Sequence, residues 1–379
     1  MTVKRSIAVL AFFLVACSPA HSPVGQRATP TPIASTAPSM PVPAPTPGLS
    51  TTPNTAADLP VTSVDFACRL PVVTRAGAGG DTTLQGGFLT FPAAQLTNDP
   101  GGTIRAQSST GDDYATTAAP VLLGFGSNAF YARAQSRWVP ASPSQARPDG
   151  GAYAYVSTGP QGSVSKAHVV DVASGDTRAF DMPPIEGLVV GDYAATGVYL
   201  LSFFGIGGPG KGVWLLDPAT GKTRQLRDIK QVWAVRDGYA WVPRLDPRDK
   251  TVWPPMEIAP EDSLVRIDLA TGAETTWFYE AGRYPWMIGF TSRGQPVVVL
   301  GGPSGNEFRV MDQPGSPGQL IYSGNGIPLG DVQGDGDRIW FGSQTGIYLY
   351  RPDRGFQKVF AYTADPANFP YIRPAGFCL

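Results

Sequence analysis

Three stretches of this chain are copies of one turn. His168-Val-Val-Asp171-Val-Ala-Ser-Gly175, Trp214-Leu-Leu-Asp217-Pro-Ala-Thr-Gly221 and Arg266-Ile-Asp268-Leu-Ala-Thr-Gly272 each carry an aliphatic run into an Asp, and a Gly follows four residues later. The Asp side chain can accept hydrogen bonds from the N–H groups of the turn, and the Gly supplies the positive φ that brings the chain back. A second extended stretch follows each copy, at 177–180, 223–226 and 275–278, so the unit is a β-hairpin. Weaker copies lead to Asp312 with Gly315 and to Arg351 with Gly355. Between the copies lies a second kind of hairpin: 188–193 leading to 198–201, 232–236 to 239–242, 286–290 to 296–300, and 329–332 to 338–341. No amphipathic helical period of any length interrupts them, so the chain is expected to be all-β.

Two hairpins in every ~40 to 50 residues give four antiparallel strands, the size of one β-propeller blade. The units fall at 68–140, 141–182, 186–228, 229–280, 283–323 and 325–361, which predicts six blades in a domain spanning 63–379. Seven is the competing count, because the first region is irregular: residues 92–119 read as a long polar insertion after the strand 87–91. Arg147-Pro-Asp-Gly150 followed by Tyr153-Ala-Tyr155 resembles the turn and strand of the WD-like repeats in TolB-type periplasmic propellers. That resemblance covers one blade, implies the fold, and carries no function with it. Composition agrees: Gly 45 and Pro 38 are turn-formers, and charged residues are 16% where about 25% is usual.

The N-terminus reads as an address. Lys4 and Arg5 precede an apolar run at 7–15, too short to span a bilayer, and the run ends in Leu14-Val15-Ala16-Cys17. These residues resemble the lipobox of bacterial lipoproteins, which implies a signal peptide over 1–16, diacylglycerol on Cys17, and an extracytoplasmic protein anchored to the cell membrane. The alternative is an ordinary signal peptide in which Cys17 is incidental. Acyl chains contribute about 0.8 kcal/mol per buried methylene, so two or three anchor stably. Residues 18–60 hold eleven prolines and twelve Ser or Thr, with only Arg27 and Asp58 charged. Such a segment cannot offset its ordering entropy, so 17–62 is expected to be a lipidated, disordered Pro/Thr/Ser-rich tether. A net charge of -1 offers no basic field, which excludes nucleic acid as a partner.

Closing a propeller brings its first and last blades together. Cys68 at the start and Cys378 near the end are therefore expected as neighbours, and outside the cytoplasm they form a disulfide. His21 and His168 are the two histidines; a Ser-His-Asp hydrolase would need His168, and no Gly-x-Ser-x-Gly elbow accompanies it, so His168 reads as structural and no catalytic residue is assigned. No cofactor is expected beyond a divalent metal such as calcium. Asp331, Asp335 and Asp337 place three carboxylates in seven residues, which is either an oxygen-ligand site or an ordinary turn.

Loops joining second to third strands, with the inter-blade connections, share one face of a propeller. Here they are 202–212, 243–262, 301–306 and 342–346. They gather aromatic and charged candidates for binding a protein, peptide or glycan: Phe203, Phe204, Lys230, Arg244, Trp253, Glu257, Arg283, Tyr284 and Trp286. Trp253 can equally pack its own loop. The expectation is a binding or scaffolding module. Its competitors are a lactonase- or lyase-type enzyme, which would converge two or three carboxylates and a metal in the channel, and a structural spacer cap.

Overall fold

A computed structural model describes residues 56–76, 83–105, 114–116, 129–158, 165–183, 185, 188–202, 212–229, 231–246, 261–301, 306–324, 332–363 and 372–379. They form six four-stranded antiparallel sheets and one two-stranded hairpin. Blade 3 runs from the channel outward through Leu188–Ala194, Gly197–Ser202, Val213–Leu216 and Thr223–Arg227. Blade 4 is Ala234–Arg236, Tyr239–Arg244, Ser263–Asp268 and Glu274–Tyr279. Blade 5 is Tyr284–Phe290, Pro296–Gly301, Asn306–Val310 and Gln319–Gly324; blade 6 is Val332–Asp335, Arg338–Gly342, Gly346–Arg351 and Gly355–Ala361. These four follow the expected units closely. The chain is a six-bladed β-propeller.

Second strands such as Pro296–Gly301 are buried throughout, whereas outer strands such as Thr177–Asp181 are mostly exposed. A sheet covered on both faces needs apolar side chains on both, which is why Val297-Val-Val-Leu300 is a continuous run instead of an alternation. The core is accordingly a series of layers between blades. Val190 and Trp214 of blade 3 pack with Val156 of blade 2, and Tyr199 packs with Ile267 of blade 4. Trp241 packs with Leu300, Phe308 with Phe341, and Trp340 with Leu70, which carries the contact from blade 6 back to blade 1.

The repeated corners are equivalent. Asp171 Oδ1 accepts from the N–H groups of Ala173 and Ser174 at 3.0 and 2.9 Å, Asp268 Oδ1 from Ala270 and Thr271 at 2.8 and 2.9 Å, and Asp217 Oδ1 from Ala219 at 2.8 Å. Gly175, Gly221 and Gly272 close them at φ of 80°, 73° and 82°. Donors aimed at the charged form hold all three carboxyls below the usual range, led by the Ser174 N–H at Asp171, the Thr220 hydroxyl at Asp217 and the Thr271 N–H at Asp268.

Blade 1 differs from the expectation. Its strands are Cys68–Ala76, Thr83–Phe91 and Gln95–Arg105, with Ile372–Pro374 as the innermost. Gln95–Arg105, expected as part of a polar insertion, is the outer strand. A register shift opposite Gln85 and Gly87 lets the polar run around Asp99 bulge from the ladder, where Gln85 Nε2 donates to Asp99 O at 2.9 Å, and the strand resumes at Ile104. Bulged, solvent-facing strand sequence looks like loop. Tyr114–Thr116 belongs to blade 2, beside Ala152–Thr158, Ser165–Asp171 and Thr177–Asp181. The hairpin Phe130–Ala132 and Arg137–Val139 bridges blades 1 and 2: Tyr131 N donates to Ala375 O at 2.7 Å, and Arg137 Nη1 to Val172 O at 2.6 Å.

The ends meet as the ring requires. Val72, Val73 and Thr74 pair with Pro374, Arg373 and Ile372, and Cys68 is bonded to Cys378 across 310 residues of sequence with Cα atoms 5.3 Å apart. Contacts with the propeller begin at Ala56, ahead of residue 63: Tyr348 Oη donates to Ala56 O at 3.0 Å, Lys358 Nζ to Ala57 O at 3.0 Å, and Thr62 N to Lys358 O at 2.8 Å. The signal peptide, Cys17 and the tether up to residue 55 lie outside the described residues.

Candidate functional site

Successive strands reverse direction, so the turns between first and second strands share a face with the Asp–Gly corners, opposite the inter-blade connections. A cavity of about 450 Å³ lies at the channel end on this turn face, walled by the last residues of the innermost strands. Blade 2 contributes Ser142 to Pro148, blade 3 Asp192 and Tyr193, blade 4 Trp233 and Arg236, blade 5 Phe290 and Ser292, blade 6 Gln333, and the closing segment Pro374 and Phe377. Phe130 of the bridging hairpin also faces it.

Asp192 is set into this wall by a bulge. The pairing of Leu188–Ala194 with Gly197–Ser202 shifts between Val190 and Asp192, leaving Gly191 as the extra residue. A side chain there would start 2.7 Å from Leu201 Cγ, so the position demands glycine. Beyond the bulge, Asp192 Oδ2 accepts from Asp237 N at 3.2 Å, a bond to the next blade's turn, where Asp237 and Gly238 stand at φ of 51° and 81°. Burial pushes the Asp192 carboxyl up to about 6, from an ordinary 3.8, because desolvation outweighs that bond and the charge of Arg236.

The other charges on the wall are paired. Arg147 Nε donates to Asp149 Oδ1 at 2.8 Å, which holds the Asp149 carboxyl low. Arg236 Nε lies 3.5 Å from Asp237 Oδ2, with its guanidinium 5.3 Å from the Phe290 ring centre. The cavity thus has a largely apolar and aromatic surface with a few placed polar groups, which is the usual make-up of a small-ligand site. A smaller groove of about 280 Å³ runs between the hairpin's Trp138 and Tyr153 and Tyr155 of blade 2.

The site anticipated from sequence lay on the other face. Of its residues, Phe203, Phe204, Lys230, Trp253 and Glu257 are outside the described residues. Arg244, Arg283, Tyr284 and Trp286 are placed by the ends of strands on the expected face. Arg283 is buried, donates to Leu300 O at 3.3 Å and pairs with Glu307 at 3.3 Å, so its charge is engaged inside the protein. The Tyr284 ring lies against Gly301, where any side chain would overlap it. Arg244 pairs loosely with Glu274 at 3.7 Å, and Trp286 is 37% exposed.

Asp335 and Asp337 sit on the turn joining the first two strands of blade 6, with Gly336 at φ 64°. Asp335 is buried and accepts from Trp340 Nε1 at 3.2 Å and Arg338 Nη2 at 3.2 Å, so its oxygens serve the turn and the core. Asp331 lies outside the described residues, and among those described no three His, Cys, Asp or Glu side chains group as metal ligands. His168 packs flat on Tyr155, ring centres 4.5 Å apart, with Nε2 2.7 Å from Ser157 Oγ, as a side chain on a sheet face. Asp192, Trp233, Arg236, Phe290 and Phe377 were not anticipated; the available signal was a carboxylate ending the run Leu188-Val-Val-Gly-Asp192, where every other residue is apolar.

Fold and cavity define a six-bladed antiparallel β-propeller with a ligand-sized cavity at one channel mouth. No protein-family profile and no curated protein matches the sequence. Among solved structures, the chain is similar to TolB from Acinetobacter baumannii at 10% identity and TM-score 0.45, over 82% of this chain and 67% of that one. It is also similar to a chain of a nidogen/laminin complex, at 10% identity and TM-score 0.44 over 80% and 98%. An oligogalacturonate lyase in complex with manganese aligns at 11% identity and TM-score 0.42 over 78% and 81%. None of these likenesses bears on what the cavity takes.

Proposed function

We propose that this chain is a membrane-anchored, extracytoplasmic binding module that captures a small ligand, or the end of a peptide or glycan, in the cavity at the turn face. The observation that carries the binding reading is the cavity itself: aromatic walls from Trp233, Phe290 and Phe377 around Asp192 and Gln333, drawn from all the blades. Two carboxylates, Asp192 and Asp237, line it, and Arg236 engages the second, so the wall offers recognition more readily than a metal-dependent reaction. The anchoring half rests on the lipobox-like Leu14 to Cys17, with residues 17–55 as the tether.

The test is a screen of short peptides and oligosaccharides by ligand-observed NMR against the wild type and Ser144→Trp, which places an indole on the cavity lip. Binders that the substitution displaces support the assignment. Binders that persist undiminished place the site elsewhere and refute it.

A further inference from the structure

Asp192 is the carboxylate of the cavity wall for which no direct ion pair is seen among the described residues; from the next blade it accepts from the Asp237 N–H at 3.2 Å and feels the charge of Arg236, which is engaged with Asp237. Both guanidiniums of the wall already have carboxylates of their own, Arg147 with Asp149 at 2.8 Å and Arg236 with Asp237 at 3.5 Å. The same cavity is lined by Tyr193, Trp233, Phe290, Phe130 and Phe377, and aromatic rings attract cations, as the Arg236 guanidinium 5.3 Å from the Phe290 ring centre illustrates. A half-buried carboxylate whose desolvation outweighs the nearby Arg236 charge is costly, and an entering cation lowers that cost while an entering anion adds to it.

We propose that the cavity recognises a cationic group, an amine or guanidinium on an otherwise apolar ligand, seated between Asp192 and the aromatic wall. The proposal rests on the cavity being the binding site and specifies the charge of what enters. Arg147, Asp149, Arg236 and Asp237 are the other charged groups at this end of the channel. The elevated Asp192 carboxyl adds a pH signature: as its charge develops, capture strengthens as pH rises through about 6.

The experiment titrates the full chain by calorimetry with three probes of one shape: benzylamine, benzyl alcohol and benzoate. Benzylamine is expected to bind at least tenfold more tightly than benzyl alcohol at pH 7.5, with benzoate weakest, and Asp192→Asn is expected to abolish the difference. Equal binding of the amine and the alcohol overturns the charge assignment and leaves the cavity reading intact. A preference for the amine that survives in Asp192→Asn overturns the role of Asp192. Binding of none of the three overturns the inference, and displacement by Ser144→Trp then decides separately whether the cavity binds anything.

Discussion

Asp192→Asn should make the protein more stable at neutral pH. In the folded chain this carboxyl sits at about 6 against an ordinary 3.8, because burial penalises its charged form. Between those values the native state holds a proton that the unfolded state has released, so its contribution to stability declines as pH rises and is fully unfavourable above about 6. The rise is equivalent to about 3 kcal/mol at 1.36 kcal/mol for each tenfold change in acidity. Residual solvent contact makes that an upper figure, and a gain of about 1 to 3 kcal/mol is expected. Asn keeps an oxygen to accept from Asp237 N, so the inter-blade bond survives while the charge goes. In a fold of this size each kcal/mol moves the midpoint by about 1.5 °C, so thermal unfolding should shift upward by about 2 to 5 °C at pH 7.5. At pH 4 the two proteins should melt together. No gain at pH 7.5, or the same gain at both pH values, would refute the claim that burial outweighs the favourable partners of this carboxylate.

Cys68→Ser with Cys378→Ser should lower stability by up to about 5 kcal/mol, read by urea unfolding, and dithiothreitol should bring the wild type to the same curve. Trp340, fully buried between blades 6 and 1 and stacked 5.5 Å from Phe91, should cost about 3 to 5 kcal/mol as Trp340→Ala in the same assay. Asp268→Ala should destabilise at neutral pH. Because the corner carboxyl is held low, the wild type's advantage should fade on acidification through that lowered value, seen as converging midpoints. Cys17→Ser should release the protein from the membrane fraction into the soluble one; retention in the membrane would refute the anchoring reading.

The ring was readable from the chain because its signals are local and repeated. An Asp accepting from the next two N–H groups and a Gly at positive φ four residues on act within one turn, so Asp171, Asp217 and Asp268 announce the same corner wherever they occur. The cysteine pairing followed from topology. The outer strand of blade 1 was hidden because its hydrogen-bonding partner, Thr83–Phe91, imposes strand geometry on polar residues that lack it by themselves. The cavity was hidden for a related reason. Its walls are short pieces of several innermost strands and the segment before the second strand of blade 2, each unremarkable alone, and what makes Asp192 unusual is the surroundings that burial gives it. Residues of the long loops are conspicuous by type, whereas these walls are made by convergence.

Phe377 stands immediately before the cysteine that locks the ring. The bond to Cys68 therefore adds a covalent hold on the segment that carries one wall of the cavity, beside the pairing of Val72, Val73 and Thr74 with Pro374, Arg373 and Ile372.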